Sequence, residues 1–177
     1  RSYVDSGLNF LEVKTKNNHK RTRKKRTTMF DFDPLVPARD IAFDSHDDNF
    51  KEYDSFLREN LWYKPEIMEE AIENRFNRIT LVNNNKTERL TIDTDLCFHN
   101  IHTGTDCSLP ELAIIELKRD GLVPSPILSL LNELRIKPLG FSKYCIGTAL
   151  TNPDIRQNRF KQRLHALGKL AEANKEL

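Results

Sequence analysis

Four groups of residues have the types and spacing for chemistry on an anion. Between Lys14 and Arg26 lie eight basic residues (Lys14, Lys16, Lys20, Arg21, Arg23, Lys24, Lys25 and Arg26) and no acid. Arg offers bidentate forks and Lys offers point charges, and both complement phosphoryl oxygens. The competing reading is a solvated hairpin tip or a nucleic-acid patch. In AIIELKRD, Glu116 and Lys118 share a face opposite Ile115 and Leu117. A carboxylate among cations weakens an anion site unless it seats a divalent ion that bridges phosphates; otherwise it forms a salt bridge with a neighbouring Lys or Arg. Glu12 in FLEVKTK carries the same two readings. Ser142-Lys143-Tyr144, after Gly140-Phe141, places a capping hydroxyl and a cation where a helix start turns N–H groups toward an anion; capping alone is the simpler reading. Arg75-Phe76-Asn77-Arg78, with Arg89 on the returning strand, sets an aromatic beside arginines. That arrangement suits stacking, support of a guanidinium, or ordinary cross-strand packing.

Other chemistries find little support. There is no GxxxxGK[ST] phosphate loop, no HExxH and no GxSxG elbow. His19, His46, His99, His102 and His165 are scattered, and Cys97, Cys107 and Cys145 lack CxxC spacing. Three widely spaced cysteines argue against a disulfide framework and read as reduced thiols, which points to the cytoplasm. The net charge is only +2, but its segregation implies a local positive field and an anionic partner.

The elements that must carry these residues read mostly as antiparallel strands. Alternation predicts strands over 2–4, 8–16 and 21–29, with turns at Asp5-Ser6-Gly7 and Asn17-Asn18-His19. In the first hairpin Phe10 and Val13 are expected in the core, with Glu12, Lys14 and Lys16 on one face. A crossing loop rich in Asp and Pro follows, then helices over 47–60 and 65–73, the second started by Pro65. A second hairpin is expected over 75–82 and 88–98. It would show Arg89, Thr91, Asp93 and Asp95 on one face and Leu90, Ile92 and Leu96 on the other. A loop over 99–109, a strand over 111–119 and helices over 125–134, 142–150 and 158–177 complete the order, which is α+β. The 177 residues suffice for one domain with a core. No apolar run is long enough for a membrane helix, and no signal peptide is visible. The start at Arg1, within a strand, leads us to expect a fragment lacking its first strands.

FLEVKTK, KKR, NRFNR, RLTIDTDL, IIELK and SKY, in that order, resemble the VTC domain. This is the polyphosphate polymerase domain of the CYTH-like, triphosphate tunnel metalloenzyme superfamily. The resemblance runs from residue 1 to about 149. It implies a single tunnel domain over 1–177, an antiparallel β-barrel with surrounding helices and incomplete at its N-terminus, with a basic amphipathic helix over 153–177. It further implies synthesis of inorganic polyphosphate from ATP with Mn²⁺ or Mg²⁺. Alternatives are a tripolyphosphate or nucleoside triphosphate hydrolase of the same fold, or a non-enzymatic polyanion-binding module. Arg1 is similar to the second arginine of an RxRxY strand, and Lys14 to the lysine of the ExK strand. Lys25, or Lys24 in the neighbouring register, is similar to a phosphate-binding lysine of the returning strand. Phe76 takes a position the family often gives to Tyr. Lys14, Arg78, Arg89 and Lys143 are the residues the resemblance assigns to catalysis. The expected phosphate contacts are these four with Arg1, Lys16, Lys24, Lys25, Lys118 and Ser142, and Glu116 is the expected metal anchor. The implied partners are ATP and polyphosphate or orthophosphate, with no specific nucleic acid; a membrane partner fits the family, although this chain supplies no membrane segment.

Overall fold

The computed structural model describes residues 1–19, 21–30, 48–121 and 124–173. The chain divides into two compact units, Arg1–Glu70 and Ala71–Leu177. The crossing loop expected after Met29 lies almost wholly outside the described residues.

In the first unit, β1 (Ser2–Tyr3), β2 (Leu8–Lys16) and β3 (Thr22–Met29) form an antiparallel sheet in the order β1-β2-β3. Gly7 closes the first turn at φ 62°, a left-handed conformation that glycine adopts without steric cost. In the second turn the Asn17 side chain accepts the Arg21 N–H at 2.9 Å, an Asx contact of the kind that favours Asn in turns. Helix α1 (Asp48–Asn60) lies against β2 and β3. Buried Tyr53 accepts the Phe30 N–H at 2.8 Å, and Thr27 donates to Glu52 at 3.3 Å. The helix expected over 65–73 is a single 3₁₀ turn, Pro65–Ile67. Ile67 and Met68 are exposed, so burial does not offset the cost of extending a helical nucleus.

In the second unit, β5 (Glu88–Asn100) is the central strand. β4 (Ile72–Val82) pairs along one edge. β7 (Ile114–Arg119) and β6 (Thr105–Leu109) share the other edge, β7 on residues 88–93 and β6 on 96–100. The loop expected over 99–109 narrows to a turn over 101–104, between the end of β5 and β6. TDCSL carries little strand signal alone; pairing with β5 supplies its hydrogen bonds. A bulge interrupts β4–β5: Arg75 pairs with Cys97 but Asn77 with Thr94, leaving Phe76 against both Asp95 and Leu96. Asp95 sits at φ 54°, which Asp tolerates better than most residues.

The bulge corrects the expected face assignment. Leu96 joins the face of Arg89, Thr91 and Asp93 instead of opposing it, and Phe98 and Asn100 follow. Helix α3 (Lys143–Thr151) packs on this half of the face. The core here is Leu96, Phe98, Ile146, Ala149 and Thr151, each under 5% exposed. At the end of α3, Asn100 donates to Thr151 Oγ1 at 3.0 Å, and Thr103 Oγ1 donates to the Thr151 carbonyl at 3.0 Å. Helix α2 (Pro126–Glu133) starts at Ser125, whose hydroxyl accepts the Leu128 N–H at 3.0 Å. Helix α4 (Lys161–Ala173) starts three residues later than expected, and residues 174–177 lie outside the described residues. Among the described residues no helix is long and apolar enough to cross a membrane.

Candidate anion-binding site

The first unit carries one charged sheet face. Antiparallel partners point the same way, so Phe10, Glu12, Lys14 and Lys16 share a face with Thr28, Arg26, Lys24 and Thr22. Phe10 thus lies on the charged face, not with Val13 as expected, and the Arg26 guanidinium covers its ring at 4.6 Å. Arg1 joins this face, because its main chain exchanges hydrogen bonds with Phe10 at 2.7 and 2.8 Å. Glu12 is the hub: Arg1 Nε lies 3.6 Å from its carboxylate, and Lys24 Nζ pairs with it. Burial alone would raise the Glu12 carboxyl, but the Lys24 hydrogen bond and the charges of Arg1 and Lys24 outweigh it and hold it below its ordinary 4.5. The salt-bridge reading of Glu12 is therefore the one this fold realises.

Lys25 does not share this surface. It pairs with Val13 on the opposite face, where a cleft of about 120 Å³ is lined by Val13, Thr15, Arg23, Lys25, Glu59 and Asn60. A one-residue change of register moves a side chain to the other side of a strand, so Lys24, not Lys25, accompanies Lys14.

The second unit carries a charge cluster that begins where α3 ends its contact with the sheet. Asp93 on β5 is only 1% exposed. Arg78, its partner on β4, donates Nε to Oδ1 at 2.6 Å and Nη2 to Oδ2 at 2.7 Å. Lys143, the first residue of α3, donates to Oδ2 as well. The Phe76 ring supports both cations, Arg78 at 5.1 Å and Lys143 at 4.4 Å from its centroid. Burial would raise the Asp93 carboxyl, but the two hydrogen-bonded cations dominate and hold it below its ordinary 3.8.

Register extends this face away from α3. Thr80, Thr91 and Glu116 form the next row, and Val82, Arg89 and Lys118 the row after. Arg89 is therefore four residues along from Arg78, opposite Val82. Arg89, Glu116 and Lys118 are exposed, and Lys118 lies 3.2 Å from Glu116, the salt bridge left open by the sequence. Thr91 is 7% exposed, and among the described residues its hydroxyl has no hydrogen-bond partner. Ser142 caps α3, accepting the Cys145 N–H at 3.4 Å, as the simpler reading held.

Sequence reasoning placed Thr91 and Asp93 on the Arg89 face but gave them no part in the site, and it missed the Arg26–Phe10 stack. Asp93 did carry a signal: it alternates with Arg89 and Thr91 in RLTIDTDL. Its partner Lys143 lies 50 residues away, beyond local pattern. The VTC domain family model matches residues 1–152. No curated protein and no solved structure matches the chain.

Proposed function

The chain belongs to the VTC domain family, and from that premise we propose that it transfers phosphoryl groups, extending inorganic polyphosphate at the expense of ATP. The observation that carries this reading is the convergence of Arg78 and Lys143 on Asp93 and Phe76, on the sheet face that also carries Arg89, Glu116 and Lys118. The proposal includes the family's tunnel, in which basic strand faces line a lumen. In the second unit Arg78, Arg89, Lys118, Lys143 and Ser142 would hold phosphoryl oxygens; the first unit, taken by itself, offers Arg1, Lys14, Lys16 and Lys24 on its own basic face. Lys25 is left out because it faces away from Lys14. Phosphoryl transfer asks mainly for positioning and charge neutralisation, so these cations need no side-chain nucleophile. The acceptor would be orthophosphate or the end of a growing chain.

The reading includes a divalent metal on this face. Among the described residues no cluster of three His, Cys, Asp or Glu could hold one. Mg²⁺ and similar hard ions, however, commonly take one or two carboxylates and leave other positions to water and substrate phosphates. Glu116 offers such a carboxylate, half exposed, and the Thr91 hydroxyl, without a hydrogen-bond partner among the described residues, belongs to its register partner on β5. Glu116 would hold the metal, which when bound would neutralise phosphoryl charge.

The test is incubation of the protein with ATP and Mn²⁺, with the products sized. Long-chain polyphosphate supports the reading. Orthophosphate alone would make the chain a hydrolase, and salt-sensitive binding without turnover a polyanion-binding module. Glu116→Gln should abolish metal-dependent turnover, and a variant with full activity would remove Glu116 from the metal site.

A further inference from the structure

We propose that Asp93 is a positioning residue for anion binding, whose negative charge raises affinity for phosphoryl groups by holding Arg78 and Lys143 as a pair over Phe76. The inference rests on the anion-binding reading above and assigns a role to a residue that reading names only as the meeting point of two cations. Three observations carry it. Both Asp93 oxygens are engaged, Oδ1 by Arg78 and Oδ2 by Arg78 and Lys143, and the residue is 1% exposed. The two cations come from different elements, a strand and a helix start, so no local geometry fixes their separation; the shared carboxylate does. Their side chains are each about 20% exposed, so both are already largely ordered before any anion arrives.

The charges make the prediction sharp. Arg78, Lys143 and Asp93 sum to +1. By Coulomb's law alone, removing the carboxylate should strengthen binding of a multivalent anion several-fold. Preorganisation predicts the reverse. Without Asp93 the two cations repel, and an anion must order two long side chains on arrival, which weakens binding by about tenfold. The sign of the change separates the two.

The experiment is calorimetric titration of the whole chain with inorganic tripolyphosphate, wild type against Asp93→Asn, well below both melting temperatures. If the wild type does not bind, the anion-binding reading fails before Asp93 is at issue. If it binds, the expected result is about tenfold weaker binding by Asp93→Asn, with partial recovery in Asp93→Glu. Equal or tighter binding by Asp93→Asn would overturn the inference. If Asp93→Asn does not fold, a cycle of Arg78→Lys, Lys143→Gln and the double variant decides. Cations held as one pair lose less affinity together than the product of the single losses, and independent losses would overturn the inference.

Discussion

Gly147→Ala offers a quantitative test of how α3 is seated. A Cβ built on Gly147 would lie 2.4 Å from Phe98 Cδ1 and 2.8 Å from both Phe98 Cε1 and Ile72 Cδ1. Carbon atoms in contact prefer about 3.5–4.0 Å, so helix and ring must separate by roughly 1 Å. Phe98 is 2% exposed and has little room to turn. Overpacking of this kind costs about 1–3 kcal/mol, against about 1 kcal/mol gained from the helix propensity of Ala over Gly. The expected net loss is about 1 kcal/mol, or roughly 2–4 °C in melting temperature for a chain of this size. The binding effect should be larger. Thr151 is held to Asn100 and Thr103, so α3 pivots at that end. With a rise of about 1.5 Å per residue, Lys143 is twice as far from the pivot as Gly147, and its shift is roughly 2 Å. That breaks its contact with Asp93 and should weaken tripolyphosphate binding about tenfold. Gly168→Ala on α4 is the control. Its added Cβ meets nothing within 4 Å among the described residues, so it should raise the melting temperature through propensity alone and leave binding unchanged. Thermal melts and calorimetric titrations read both variants. If Gly147→Ala melts and binds like Gly168→Ala, the close packing of α3 on Phe98 is refuted.

Two further outcomes follow from the sheet faces and the paired carboxylates. Lys24→Ala should weaken tripolyphosphate binding while Lys25→Ala leaves it nearly unchanged, because only Lys24 shares the Lys14 face; the opposite ranking in the same titration would reverse the register. Asp93 and Glu12 are both held below their ordinary values of 3.8 and 4.5, so their stabilisation is complete above those values and is lost as pH falls through the lower folded-state values. Melting temperature should be level above about pH 5 and fall below about pH 4, with a smaller fall in Asp93→Asn; equal acid sensitivity of the two proteins would deny Asp93 this part.

Much of this was legible because alternation and capping are local. Strands over 8–16 and 88–98, the Ser142 cap, and the shared face of Glu116 and Lys118 all follow from neighbours within a few residues. Phe10 was misassigned because its apolarity was weighed over its parity with Glu12. An aromatic ring can lie under a guanidinium as well as in a core, and sequence does not tell the two apart. The Asp95 bulge left no mark, since one extra residue in a strand looks like any other until its partner is known. β6 was missed because its strand character comes from β5. The Asp93–Lys143 contact depends on how α3 docks, which is a tertiary fact.

Chain length around Asp95 is consequently quantised. The extra residue there brings Phe98, which seats the helix, to the same side as Asp93, which receives the helix's first cation. Dropping that one residue would leave a regular strand in which Asp93 and Phe98 stand four apart and still share a face, whereas dropping two would send the seat to the back of the sheet and leave Lys143 pointing at the wrong surface. Loss of the single bulge residue is therefore the shortening this stretch can absorb, even where the side chains themselves are free to vary.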